Sequence, residues 1–223
     1  MIKPIANIYT DFNNKFGIPR QSGRVKSLLG KIVFLPEYQN EEFTRGIEQY
    51  SHLWVIFDFS KAHKDSIPPT VRPPRLGGNK RIGVFATRSP FRPNNIGLSS
   101  VKLEKVEKSE NEGTVLWVSG VDMLNGTPIY DIKPYIPYTD CHQDALGGFS
   151  DTHKDHALKV VFKDDVDSIL SRYQKECIIG CVADDPRPSY QDDEREYSMQ
   201  FSQFDIHFTV ADGIATIFKI DKL

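Results

Sequence analysis

Arg88 and Arg92 stand four residues apart in GVFATRSPFRPNNIGLS (83–99), and each is followed within two positions by a proline. Pro90 and Pro93 fix φ and bias Ser89 and Arg92 towards extended backbone. Such a loop is pre-organised, so binding a ligand costs it little entropy. A guanidinium on this frame can grip a phosphate or a carboxylate in bidentate fashion. The bland alternative is a surface arginine in an ordinary ion pair. A second dense segment is VDMLNGTPIYDIKPYIPYTD (121–140). Its Asn125-Gly126 dipeptide reads as a tight turn, and Thr127-Pro128 continues a rigid path. Gly126 permits close approach of a ligand to the backbone. Asp122, Asp131 and Asp140 supply carboxylates nearby, either for chemistry or to cap the ends of a structural turn.

Charge is unevenly spread around these segments. The net charge is −2. Residues 66–103 hold no Asp or Glu but seven Lys plus Arg, including Arg72, Arg75, Lys80, Arg81, Arg88 and Arg92. Residues 140–223 hold seventeen acids against nine basic residues. Single-sign blocks point to a polyanionic partner on one face, or to pairing of the two blocks within the chain.

Other chemistries find no support. The six histidines show no HExxH or paired-ligand spacing, so no metal site is expected. Cys177 and Cys181 lie in an apolar run without a second ligand pair and read as small buried hydrophobes. Three cysteines, an odd number, argue against a disulfide framework. Ser89, Ser99 and Ser100 lack a G-x-S-x-G elbow. No run approaches the length of a membrane span, and MIKPIANIYT lacks the apolar core of a signal peptide, so a cytoplasmic protein is expected.

The elements that must hold these residues read as mainly β. Short β-branched or aromatic runs at 2–9, 31–35, 53–59, 81–87, 98–106 and 114–121 predict six strands, with SENEG (109–113) as a hairpin loop. That pattern fits an antiparallel barrel or sandwich. A doubly wound fold is excluded, because long amphipathic helices and a G-x-G-x-x-G turn are missing. Residues 141–157 read as a linker or mobile loop, and 158–223 as a small α+β C-terminal domain following the 1–140 domain. Asp164 or Asp165 would cap a helix running to about Lys175, and 204–210 with 214–220 predicts a hairpin around Asp212-Gly213.

GVFATRSPFRPNNIGLS, DMLNGTPIYDIKPYIPY, KFGIPRQSG (15–23) and DPRPSY (185–190) together resemble the TsaA-like family, the TrmO-type tRNA (adenine-37 N6)-methyltransferases. SHLWVIFDF and RPPRLGGN extend the match, which spans essentially the whole chain. The resemblance implies an antiparallel β-barrel that binds S-adenosylmethionine without a dinucleotide fold and works as a homodimer. It implies an enzyme that methylates N6 of threonylcarbamoyladenosine at position 37, next to the anticodon. A non-catalytic barrel that binds RNA or S-adenosylmethionine is the competing reading.

Carried onto this chain, the resemblance marks Pro19, Arg20, Gln21, Ser60, Lys61, Arg88, Leu98, Gly126, Thr127, Pro128 and Ile129 as cofactor contacts. Arg88 would hold the methionine carboxylate or a ribose oxygen, Leu98 would pack on adenine, and the 126–129 backbone would read the adenine edge. Asp122 and Asp131 are the candidates for a base that takes the N6 proton. Arg72, Arg75, Lys80, Arg81 and Arg92 would follow the phosphates of the anticodon stem-loop. Two positions depart from the family pattern. Asn95 replaces a frequent proline, which is expected to loosen the loop. Asn125 replaces a frequent aspartate, which removes a charge but keeps the turn.

Overall fold

The computed structural model describes residues 2–76, 80–153, 156–188 and 195–223. In chain order the strands are β1 (Ala6–Thr10), β2 (Leu29–Phe34), β3 (His52–Asp58), β4 (Thr70–Val71), β5 (Ile82–Gly83), β6 (Ile96–Ser109), β7 (Gly113–Ser119) and β8 (Thr127–Pro134). A one-turn helix α1 (Pro137–Asp140) and β9 (Lys159–Phe162) follow. Then come α2 (Arg172–Ala183), β10 (Tyr197–Phe201), β11 (Phe204–Ala211) and β12 (Ile214–Lys222).

Six strands close into an antiparallel barrel in the order β1-β2-β7-β6-β3-β8. Alternation drives the closure: Ala6 and Ile8, Ile32 and Phe34, and Leu53, Val55 and Phe57 all point inward and are buried. Gly97 of β6 is required by packing, since a Cβ there would fall 2.2 Å from the Phe57 ring. The expected strand at 81–87 is not part of the barrel. Only β5 forms there, paired with β4 in a two-stranded ribbon, and a 3₁₀ turn at Val84–Ala86 follows it. Gly83 interrupts the apolar run, and Val84 is instead pinned by its side-chain burial and by its N–H donating to the Pro69 carbonyl at 2.9 Å. The sixth barrel strand is β8, in the segment that reads as a turn path. Its prolines, Pro128 and Pro134, sit near its two ends, where a missing N–H is best tolerated.

The C-terminal half forms a four-stranded sheet, β10-β11-β12-β9, in which β9 runs parallel to β12. Asp212 and Gly213 take positive φ in the β11–β12 turn, as an Asp-Gly hairpin requires. The expected helix from 164–165 does not form. Val166–Ile169 is a 3₁₀ turn, Leu170 is extended, and α2 starts one step later. Ser171 and Gln174 form a reciprocal capping box, whereas Asp165 makes no side-chain cap bond.

The two halves share one continuous core. Phe12 stacks edge-on to Phe201 at 5.5 Å, and Tyr173 donates its hydroxyl to Asp11 Oδ2 at 2.8 Å. The acidic half therefore meets the segment that follows β1. Arg24 pairs with the buried Asp184 at 2.6 Å. Among the described residues, none of Arg72, Lys80, Arg81, Arg88 and Arg92 has a salt-bridge partner in the acidic half.

Candidate active site

A cleft of about 1820 Å³ opens at the end of the barrel where the 17–24 segment, the end of β3, the 84–98 loop and residues 122–127 meet. The loop is stiff for reasons beyond its prolines. Thr87 Oγ1 donates to the Val84 carbonyl at 2.9 Å, and Arg92 Nη1 donates to the Thr87 carbonyl at 3.1 Å. The Ser89 and Phe91 N–H groups donate to the Thr87 and Ser89 hydroxyls. Asn95 also contributes, contrary to the looseness expected of it. Its Nδ2 donates to the Pro90 carbonyl at 2.7 Å and the Ala62 carbonyl at 3.3 Å, tying the loop to the end of β3.

Pro19, Arg20, Gln21, Arg88, Leu98 and Thr127 all line this cleft. Arg88 is exposed and donates to Gln21 Oε1, which links the 84–98 loop to the 17–24 segment. Arg20 is partly committed to scaffolding: its Nη2 donates to the Arg187 carbonyl at 2.7 Å and the Pro186 carbonyl at 3.4 Å. Asp185 in turn holds Arg187 through its side chain, so the DPRP stretch fixes the 19–21 wall. Leu98 is 53% exposed, and with Ile96 and Phe85 it gives the cleft an apolar surface.

Ser60 and Lys61 line both the cleft and an adjoining chamber, while Gly126 and Pro128 face the chamber alone. Ile129 stands apart: it is fully buried in the barrel, and its carbonyl accepts from the Ile5 N–H at 2.7 Å. The 126–129 backbone also has little left to offer an adenine edge as a donor. The Gly126 N–H donates to the Ile8 carbonyl, the Thr127 N–H to the Leu124 carbonyl, and Pro128 has none.

The two candidate bases part company. Asp122 lines the cleft next to Arg88. Ser99 Oγ donates to its Oδ1 at 2.7 Å. Burial pushes its carboxyl up to about 6, against the pull of Ser99, the Ser22 N–H and Arg88. Asp131 lies outside the cleft on β8, where it pairs with Lys133 at 2.9 Å and accepts from the Ile132 N–H. The register explains this: Asp131 sits opposite Ile56, on the face away from the barrel interior. Ser99, which the sequence offers only as a nucleophile without an elbow, is instead the hydrogen-bond partner of Asp122. Its signal is positional: it is a small hydroxyl on the inward face of β6, between Gly97 and Val101.

Of the basic set, Arg72, Arg81 and Arg92 line the cleft and Lys80 is exposed beside it. The side chain of Arg75 lies outside the described residues, as do residues 77–79 of the RPPRLGGN motif and Ser189 and Tyr190 of DPRPSY. Among the described residues, no cluster of His, Cys, Asp and Glu could hold a metal ion, and no helix is long and apolar enough to cross a membrane.

The family model described as the tRNA-methyltransferase O N-terminal domain matches residues 7–141, and the TrmO C-terminal domain matches residues 155–223. The chain is 36% identical over 226 residues to the tRNA (adenine(37)-N6)-methyltransferase of Escherichia coli K12, covering 97% of this chain and 96% of that one. It is 40% identical over 216 residues to a putative S-adenosylmethionine-dependent methyltransferase, RcsF, of Pseudomonas aeruginosa, covering 93% and 91% of the two chains. A crystal structure of TrmO from P. aeruginosa superposes with a TM-score of 0.80 at 32% identity, covering 100% of this chain and 97% of that one. Barrel and relatives together define an S-adenosylmethionine-dependent tRNA methyltransferase built without a dinucleotide fold. The chain belongs to the TrmO family.

Proposed function

We propose that this enzyme methylates N6 of threonylcarbamoyladenosine at position 37, beside the anticodon, that it acts in the cytoplasm as a homodimer, and that the cleft is where transfer occurs. The observation carrying this reading is the meeting of Arg88, Leu98 and Asp122 in one cleft that is also lined by Arg72, Arg81 and Arg92, which have no salt-bridge partner among the described residues. The cleft suits the cofactor: a cation held by Gln21 for the methionine carboxylate or a ribose oxygen, and Leu98 with Ile96 as an apolar bed for adenine. Pro19, Ser60 and Lys61 complete the contacts.

S-Adenosylmethionine, when bound, supplies a methyl group on a sulfonium whose leaving thioether needs no proton. The chain must then place the acceptor and remove its proton. For well-oriented reactants, positioning alone can remove about 7–11 kcal/mol of a barrier. The acceptor nitrogen is conjugated to the purine and to the carbamoyl carbonyl, so its lone pair is poor. Asp122 accepts the N6 proton as the N–CH₃ bond forms, with Ser99 holding the carboxylate in place. A carboxyl poised at about 6 is both ionised at neutral pH and basic enough to help. Arg72, Lys80, Arg81 and Arg92 take phosphates of the anticodon stem-loop, whose unpaired bases splay out at little cost.

The test is incubation of purified protein with S-adenosylmethionine and tRNA that either carries threonylcarbamoyladenosine or has plain adenosine at position 37. Nucleosides are then digested and weighed. The reading predicts one added methyl on the modified nucleoside only. Methylation of plain adenosine, or none at all, would overturn it.

A further inference from the structure

The cleft has a side chamber of about 800 Å³ where the barrel meets the C-terminal sheet. Gly126 and Pro128 face the chamber and Thr127 faces the cleft, so the start of β8 is the partition between them. Lys15, Ser60 and Lys61 border both spaces. The chamber's lining contains two lysines and no Asp or Glu among the described residues. Its remaining polar groups are neutral amides and hydroxyls, two of them, Ser198 and Gln200, contributed by β10.

These groups are held rather than loose. Lys15 Nζ donates to the Lys61 carbonyl at 2.7 Å, which anchors the ammonium and uses one of its three donors. Asn14 Nδ2 donates to Gln200 Oε1, joining the two halves of the protein across the chamber. Asn125 Oδ1 accepts from the Thr10 N–H at 3.2 Å, and its Nδ2 donates to Asn13 Oδ1 at 3.3 Å. Gly126 has φ of +74°, and a Cβ there would meet nothing within 4 Å, so the floor stays open. Anchored ammonium with neutral hydrogen-bonding walls fits a small organic carboxylate bearing a hydroxyl, and the volume lies in the range of small-ligand sites.

Building on the substrate read above, we propose that Lys15 binds the carboxylate of the threonyl substituent in this chamber. The Ser198 hydroxyl gives its proton to Asp205, so its oxygen is left to accept from the threonyl hydroxyl, and the Gln200 amide, whose oxygen accepts from Asn14, donates to the urea carbonyl. On this account the C-terminal sheet is a specificity element, because it supplies one wall of the chamber.

The test uses the full chain with anticodon stem-loop RNA carrying either threonylcarbamoyladenosine or its methyl ester, in single turnovers over a range of RNA concentrations. S-Adenosylmethionine affinity is measured separately without RNA. Wild type should prefer the acid by about 10–100-fold, mainly through tighter binding, as expected for one charge-assisted contact. Lys15→Met should bring that ratio close to one, and Lys15→Arg should restore most of it. The proposal is overturned if wild type methylates acid and ester equally, or if Lys15→Met keeps the ratio. It is also overturned if Lys15→Met weakens S-adenosylmethionine by the same factor, since the ammonium then serves the cofactor's own carboxylate. Equal use of acid and ester leaves the substrate reading intact, whereas methylation of neither sinks both.

Discussion

Replacing Asp122 by asparagine separates two consequences of one buried carboxylate. In the native protein its pKa rises from 3.8 to about 6, chiefly through burial. Two units correspond to up to about 3 kcal/mol, an upper figure because the residue keeps some surface in the cleft. Between pH 4 and 6 the folded chain holds a proton that the unfolded chain has released, so stability falls as pH rises through this window. Above the folded pKa the penalty is constant. Asp122→Asn should therefore melt higher than wild type at pH 8, and the gap should close towards pH 4. Activity should move the other way. A base must be ionised, so the wild-type single-turnover rate should climb through an inflection near pH 6 and level off above it. Asp122→Asn should lose that inflection and about 10²–10⁴-fold in rate. Ser99→Ala removes a hydrogen bond that favours the charged form, so it should shift the inflection upward. Stopped single turnovers with saturating tRNA and cofactor read these rates, and thermal melts across pH read the stability. A near-normal rate in Asp122→Asn that keeps the pH 6 inflection would refute the reasoning, as would an equal loss in Asp131→Asn.

The triple variant Arg72→Ala/Lys80→Ala/Arg81→Ala should weaken tRNA binding and flatten its dependence on salt by about 0.7–0.9 in log–log slope per lost phosphate contact. An unchanged slope, measured by filter binding, would remove these residues from the RNA face. Gly97→Ala drives a methyl group into the Phe57 ring and should cost about 1–3 kcal/mol in urea unfolding. Because Leu98 follows it directly, the same change should also weaken S-adenosylmethionine in calorimetry, and unaltered stability and affinity would contradict the packing described.

The barrel was legible where its strands alternate cleanly. Leu53, Val55 and Phe57 of β3, and the two arms of the β11–β12 hairpin, show their inward faces in the residue pattern alone. The pattern misled where prolines and glycine hide the partner. β8 carries two prolines and owes its place to pairing with β1 and β3, which only the closed barrel reveals. The run at 81–87 looks β-rich yet pairs only through Ile82 and Gly83, because its neighbour β4 is just two residues long. The same split runs through the site. Arg88 and Leu98 come from one motif and Thr127 from another nearly thirty residues on, and all three line the same cleft. Asp122 and Asp131 look equivalent along the chain, but Asp122 lies on the connection between β7 and β8 that lines the cleft, while strand register sends Asp131 to a surface pair with Lys133. Asn95, a departure from the family pattern, turns out to be a brace because its amide reaches two carbonyls that chain order does not place near it.

The most direct measurement is a crystal structure of the protein with S-adenosylhomocysteine and an anticodon stem-loop containing the modified adenosine. The account predicts the cofactor product between Arg88 and Leu98, with the acceptor N6 facing both its sulfur and the Asp122 carboxylate. A cofactor seated on the outer face beside Asp131, or an acceptor turned away from Asp122, would contradict it.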